Sequence, residues 1–122
     1  MPDEQTKVDE NITIVQKWFT AANKNDPSSL EDMFGDDYMG HRANGDDEDL
    51  QRMAGIVATL NKNNIVVEVI KIFGEGDRVG ALLRLARNEQ AFEEIQIYRI
   101  SNGKIAERWI VVDRRALQKL FG

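Results

Sequence analysis

The chain has 122 residues, the usual size of one domain, with 16 lysines and arginines against 21 aspartates and glutamates. The net charge of −5 disfavours nucleic-acid binding, and the absence of cysteine excludes disulfides and thiolate metal sites. No stretch approaches the roughly 20 apolar residues of a membrane span, and residues 1–7 are too polar for a signal peptide. We expect one cytoplasmic domain over 1–122, with 1–7 as a flexible tail and neither nucleic acid nor membrane as a partner.

A helical pattern occupies the first part of the chain. Apolar residues recur every three or four positions between Val8 and Lys24, and Trp18 widens the apolar stripe that they form. The stripe consists of Val8, Ile12, Val15, Phe19 and Ala22. This pattern predicts a long amphipathic helix.

A short helix is predicted next. Asp26 followed by Pro27 is typical of a helix start, because aspartate caps the helix and proline suits its first position. Leu30, Met33 and Phe34 would then point inward. The short helix should end at the glycine and aspartates that follow.

An extended segment from Tyr38 to Arg42 and a turn over 43–45 precede a third predicted helix. Its apolar face consists of Leu50, Met53, Ala54, Val57 and Leu60. The acidic run Asp46-Asp47-Glu48-Asp49 would form its first turn, where carboxylates complement the helix dipole. A metal site is the alternative, but the spacing of a calcium-binding loop is not met, so we predict none.

The second half of the chain changes to a strand pattern. Four strands are predicted, at Ile65–Phe73, Arg78–Arg87, Ala91–Ile100 and Lys104–Asp113. The glycines between 74 and 77 and the Asn102-Gly103 pair indicate hairpin turns. A short closing helix should follow over 114–121. The order predicts an α+β domain with three N-terminal helices packed on a curved antiparallel or mixed sheet.

Both faces of the predicted sheet carry apolar side chains. In the last strand Glu107, Trp109 and Val111 share one face, and Arg108 and Ile110 share the other. One face can be covered by the helices. The other face would be an exposed apolar patch if it were left to solvent. A homodimer formed through this outer face would cover it.

The order of elements resembles the nuclear transport factor 2-like superfamily, and several segments resemble its SnoaL-like, polyketide cyclase-like branch. Those segments are Phe34–His41, Phe73–Val79 and Tyr98–Trp109, followed by Asp113. The resemblance implies a cone-shaped fold with a pocket at its open end, and pairing through the sheet. It also implies cofactor-free acid–base reactions such as polyketide cyclisation, ketosteroid isomerase-like isomerisation, epoxide hydrolysis or dehydration, although many members only bind or assemble.

Two positions depart from the branch pattern. Relatives often place an aspartate directly after the tryptophan of the last strand, where this chain has Ile110, and an acid where it has Gln96. An amide is not a base at physiological pH, so Gln96 is predicted to bind a ligand carbonyl rather than to move a proton.

Three residues are the catalytic candidates. His41, the only histidine, stands where the family often has a pocket residue, and histidine titrates near neutrality. Asp113, beside Trp109, would have a raised pKa if partly desolvated, and the Tyr38 hydroxyl could donate to a ligand oxygen. Their structural alternatives are a loop histidine bonded to Asp37 or Arg42, an aspartate paired with a neighbouring arginine, and a core tyrosine.

Ligand-binding candidates complete the predicted site. Trp18 and Trp109 would be apolar walls, with core packing as the alternative. Arg84 interrupts an apolar strand, so it either binds an anionic ligand group or pairs with Glu94 across the sheet.

The sequence and this resemblance therefore favour a pocket protein for a small apolar or carbonyl-bearing molecule. The resemblance implies that, if it is an enzyme, it is a cyclase, isomerase or dehydratase that needs no cofactor. A non-catalytic ligand-binding or dimerisation domain is the alternative.

Overall fold

Helix α1, Glu4–Asn23, begins the computed structural model, which describes residues 3–24, 30–42 and 45–112. The Asp3 side chain caps the helix by accepting a hydrogen bond from the Thr6 N–H at 2.8 Å. This cap starts the helix four residues before Val8, so residues 4–7, expected in a tail, are helical. The buried face is as the spacing predicted: Val15, Trp18, Phe19 and Ala22.

The other described helices are short. Helix α2 spans Leu30–Met33, and α3 spans Leu50–Lys62 with Met53 and Val57 buried. The α3 cap is Asp49, whose side chain accepts from the Arg52 N–H at 2.9 Å, so α3 begins after the acidic run and not within it. The preceding Asp47–Glu48 is a two-residue strand that the helical interpretation missed.

Within the described residues the sheet contains six strands in the order β2-β1-β6-β5-β4-β3, with β1 parallel to β6 and every other pair antiparallel. The strands are β1 Phe34–His41, β2 Asp47–Glu48, β3 Val66–Glu75, β4 Arg78–Arg87, β5 Gln90–Ser101 and β6 Lys104–Val112. The four predicted long strands are confirmed to within two residues at each end. Strand β1 starts four residues before the predicted Tyr38.

The hairpin between β5 and β6 shows why its turn was readable from the sequence. Asn102 and Gly103 have φ of 53° and 76°, the left-handed pair of a tight type I′ turn. Asn and Gly adopt this conformation at low cost, so this dipeptide between two apolar runs predicts a hairpin.

The two faces of the sheet differ, and we call them inner and outer. The inner face carries Tyr98 and Arg108 and packs on the helices. The outer face carries large exposed apolar side chains: Met39 38%, Phe73 54%, Ile95 42%, Ile97 37% and Val111 60% exposed. Both faces are therefore partly apolar, as the strand alternation predicted.

Several predictions fall outside the described residues, namely the Asp26-Pro27 helix start, part of the 43–45 turn, Asp113 and the closing helix over 114–121. Among the residues that are described, no helix is long and apolar enough to cross a membrane.

Candidate functional site

A cross-strand row on the inner face brings a carboxylate and a guanidinium together. Gly40 pairs with Glu48 on β2 and with Arg108 on β6, and Arg108 pairs with Tyr98 on β5. A Cβ atom on Gly40 would lie only 2.4 Å from Glu48 Oε1. Because residue 40 has no side chain, the Glu48 carboxylate lies across its strand and reaches Arg108.

The Glu48–Arg108 ion pair is buried, with side-chain exposures of 0% and 5%. Arg108 Nη2 donates to Glu48 Oε1, and the Tyr38 hydroxyl donates to the same oxygen at 3.2 Å. Glu48 Oε2 and Arg108 Nε have no hydrogen-bond partner in the described part of the chain. Burial raises the pKa of Tyr38 above its usual value, although the Arg108 charge opposes the rise, so Tyr38 is a neutral donor.

A chain of hydrogen bonds runs along the same face to a second carboxyl. Trp18 Nε1 donates to the Tyr98 hydroxyl at 3.0 Å, Tyr98 donates to Gln96 Oε1, and Gln96 Nε2 donates to Glu94 Oε1 at 3.0 Å. An indole N–H only donates, so the Tyr98 hydroxyl is the acceptor in the first bond, and it donates its own hydrogen to Gln96 in the second. Glu94 is the final acceptor.

The environment of Glu94 raises the pKa of its carboxyl. Burial is the main cause, since the residue is 7% exposed, and the Arg108 charge, the Gln96 hydrogen bond and the Arg42 charge act in the opposite direction. Burial also raises the pKa of Tyr98 to about 12, against the lowering effect of Arg108. Glu94 is therefore a carboxyl of the inner network whose pKa burial raises above its usual value, as is common for functional carboxyls.

Aromatic packing holds the network in place. The Trp18 and Phe34 rings meet edge to face at 5.1 Å, and Phe34 meets Tyr38 in the same way at 4.7 Å. Phe19 packs against Tyr98 at 5.9 Å. These contacts restrain the side chains that donate to the hydrogen-bonded groups.

His41 belongs to a different cluster, on the outer face. Its Nδ1 lies 3.1 Å from Asp47 Oδ1 and its Nε2 lies 2.6 Å from Glu107 Oε2, while Arg99 Nε donates to Glu107 Oε1 at 3.0 Å. The hydrogen bond to Glu107 raises the pKa of His41, with burial opposing and Asp47 adding to the rise. The same hydrogen bond has the opposite effect on its acceptor, because it lowers the pKa of Glu107.

Trp109 completes this outer cluster. Its ring centroid lies 5.4 Å from the His41 ring, and the Arg78 guanidinium carbon lies 4.9 Å from the Trp109 ring centroid. The histidine and the tryptophan are therefore neighbours, as a shared site would require, but they face away from the helices.

The predicted site residues thus divide between two faces. Tyr38, Trp18 and Gln96 belong to the inner network, whereas His41 and Trp109 do not. The reason is the strand alternation, because Arg108 points inward and its neighbour Trp109 must point outward. His41 bonds to Asp47 and Glu107, and not to Asp37 or Arg42, the partners named in its structural alternative.

Arg84 also lies away from the inner network. It pairs in register with Glu93 and is exposed, whereas Glu94 pairs with Leu83 and points inward, which corrects the expected Arg84–Glu94 pair. Asp113 lies outside the described residues.

Sequence reasoning missed four members of the inner network: Glu48, Glu94, Tyr98 and Arg108. The sequence of β5 did contain a signal. Glu94, Gln96 and Tyr98 lie on the same face of the strand as two apolar residues, Phe92 and Ile100. Polar side chains on an apolar face are the informative exception. Glu48 gave no such signal, since it stands within an acidic run. The described residues contain no group of three or more His, Cys, Asp or Glu side chains arranged to hold a metal ion.

The curved six-stranded sheet, with helices on its inner face, defines the nuclear transport factor 2-like class of α+β fold. The model of the SnoaL-like domain family matches residues 15–108, and the chain belongs to that family. The match includes the inner network from Trp18 to Arg108. No curated protein matches the chain.

Solved structures share this fold at low sequence identity. An LEH-like epoxide hydrolase from M. tuberculosis is 16% identical with a TM-score of 0.75, covering 93% of this chain and 90% of that one. A SnoaL-like polyketide cyclase from Agrobacterium tumefaciens is 16% identical with a TM-score of 0.73, covering 89% and 95%. A nuclear transport factor 2-like protein of unknown function from Mesorhizobium loti is 15% identical with a TM-score of 0.77, covering 93% and 97%. At these identities the likeness concerns the fold.

Proposed function

We propose that the protein binds a small apolar, carbonyl-bearing molecule at the inner face of the sheet and transfers a proton on it without a cofactor. The observation that carries this proposal is the buried carboxyl of Glu94, whose pKa is raised and whose orientation is held by Gln96. A buried carboxyl with a raised pKa suits a general base or acid. The polar groups of the network are set in the apolar core, so we propose an apolar ligand and not a polar one.

The proposed step begins with Glu94 as a carboxylate. It removes a proton from the carbon next to the ligand carbonyl, and the electron pair of the broken C–H bond moves to the carbonyl oxygen as an enolate. The positive charge of Arg108 stabilises the enolate, and protonated Glu94 then returns the proton to the same or another carbon. General base catalysis of this kind contributes about 100- to 10,000-fold.

The other inner-face groups support Glu94 as the proton-transfer residue. Glu48 accepts hydrogen bonds from Arg108 and Tyr38, so we assign it the role of ion-pair partner and not of base. Gln96 is an amide, and burial keeps Tyr98 protonated at neutral pH. His41, the candidate favoured by the sequence, lies on the outer face.

The test is deuterium exchange at the carbons next to the carbonyl of 2-tetralone, followed by proton NMR in D2O, with further bicyclic and tricyclic ketones alongside. Wild type should accelerate the exchange, and Glu94→Gln should lose most of that acceleration. Glu93→Gln is the matched control, because Glu93 is the exposed neighbour on the same strand. If Glu94→Gln exchanges the ketone as fast as wild type, the assignment of the base is wrong.

A non-catalytic binding module is the second candidate, and Ile110 is the observation that favours it. Ile110 pairs with Gln96 across β5 and β6, so two neighbouring positions that often carry acids in relatives carry none here. Shift changes in inner-face NMR signals on adding 2-tetralone, without accelerated exchange, would support this candidate over the first.

We also propose that the protein forms a homodimer through the outer face. Ile95, Ile97 and Val111 are 42%, 37% and 60% exposed on adjoining strands, and an apolar patch of this kind favours a partner. Val111→Glu should convert the dimer to a monomer in light scattering coupled to gel filtration. Ala58→Glu, which places the same charge on exposed α3, should not; a monomeric wild type would contradict the proposal.

A further inference from the structure

We infer that the inner network contains a binding position for one O–H group, between Arg108 Nε and Glu48 Oε2. Both atoms are buried and without a hydrogen-bond partner in the described ranges, and their side chains are 5% and 0% exposed. Leaving such a donor and acceptor unsatisfied is costly, so each requires an explanation. A single group that hydrogen-bonds to both atoms would explain why neither has a partner within the protein.

The geometry of the ion pair defines what that group must be. A guanidinium and a carboxylate often make two parallel hydrogen bonds, yet here only Arg108 Nη2 and Glu48 Oε1 are joined. The unused atoms of the same two groups are an N–H donor and a carboxylate acceptor. A bridging group must therefore accept from Arg108 and donate to Glu48.

Few chemical groups meet both requirements. An ether, a ketone or an anion without an O–H accepts but cannot donate, and an ammonium group donates but cannot accept. A hydroxyl does both, whether it belongs to water or to an alcohol. The neighbouring Tyr38 hydroxyl already donates to Glu48 Oε1, so Glu48 Oε2 is the acceptor left for the bridging group.

A crystal structure that resolves ordered water tests the position without any reaction. We expect electron density within hydrogen-bonding distance of both Arg108 Nε and Glu48 Oε2. A direct bond between these two atoms, completing a two-bond ion pair with no density between, would overturn the inference. This readout is independent of proton transfer, so it can succeed where the proposed function fails, and the reverse.

A second experiment separates water from a ligand hydroxyl, and this part rests on the proposed function. Cyclohexanol has an O–H donor and methoxycyclohexane has none, so the affinity of the protein for each is measured by NMR titration. If a ligand hydroxyl occupies the position, the alcohol should bind at least tenfold tighter, or about 1.4 kcal/mol. Glu48→Gln should reduce that preference, and Glu93→Gln, on the outer face, should keep it. Equal affinities with the bridging density retained would assign the position to water and overturn the ligand part.

Discussion

The substitution Gly40→Ala tests how the buried ion pair is accommodated. The new Cβ would lie 2.4 Å from Glu48 Oε1, 2.5 Å from Glu48 Cγ and 2.6 Å from the Tyr38 hydroxyl. Real Cβ atoms do not approach other atoms so closely, so the Glu48 side chain must move. It would move away from Arg108, which is 5% exposed and depends on that carboxylate for its charge partner.

The expected cost follows from the two effects together. Overpacking a well-packed site costs about 1–3 kcal/mol, and breaking a buried ion pair costs about 3–5 kcal/mol when one charge is left unpaired. Glu48 is displaced and not removed, so only part of the ion-pair cost applies, and we expect a loss of about 2–4 kcal/mol in the free energy of unfolding. That is a large fraction of the roughly 5–15 kcal/mol that stabilises a typical domain.

Urea unfolding followed by circular dichroism measures this loss. Gly55→Ala is the matched control, because Gly55 lies within α3 and a Cβ there would meet nothing within 4 Å. The same chemical change in a helix interior should stabilise the protein by about 0.5–1 kcal/mol. The reasoning is refuted if Gly40→Ala is as stable as wild type.

Three further substitutions have defined outcomes, each measured by urea unfolding. Trp18→Phe removes the indole N–H that donates to Tyr98 and also leaves a cavity, because Trp18 is buried. It should therefore cost more than the roughly 1 kcal/mol of one such bond, and an unchanged stability would contradict this. Asp49→Ala removes the α3 cap and should also cost about 1 kcal/mol, whereas an unchanged stability would mean that another group caps the helix. His41→Gln should alter the pH dependence. The pKa of His41 is higher in the folded protein than in the unfolded chain, where it is about 6.5. The contact with Glu107 therefore stabilises the protein fully below the unfolded pKa, and this stabilisation is lost as the pH rises through the folded pKa. The variant should thus be less stable than wild type at about pH 5.5, and the difference should shrink by about pH 8.5; a constant difference would contradict it.

The sheet was predictable because its signals are local. Each long strand is an apolar, β-branched run, and Asn102-Gly103 encodes its turn in two residues. The buried face of α1 followed directly from its spacing. The predicted start of α1, Val8, lies too far along the chain, because the cap that starts the helix, Asp3, precedes this first apolar residue by five positions.

The site was harder to predict because it depends on which face of each strand turns inward. Arg108 and Trp109 are adjacent in β6, and composition favours the tryptophan as the buried one, yet the arginine is 4% exposed and the tryptophan is half-buried on the outer face. The buried ion-pair partner of Arg108 is Glu48, which comes from a strand of only two residues. A pairing between distant residues leaves no periodic trace in the sequence.

The titration of the Glu94 carboxyl tests the central claim most directly. Carbon-13 labelling of glutamate, with Glu94→Gln to assign the signal, follows this group by NMR through the pH range. The account predicts an apparent pKa above the roughly 4.3 of an unperturbed glutamate, because burial disfavours the charged form. A value at or below the unperturbed one would mean that Arg108 and Gln96 dominate over burial, and that Glu94 is a permanent anion and not a proton-transfer group.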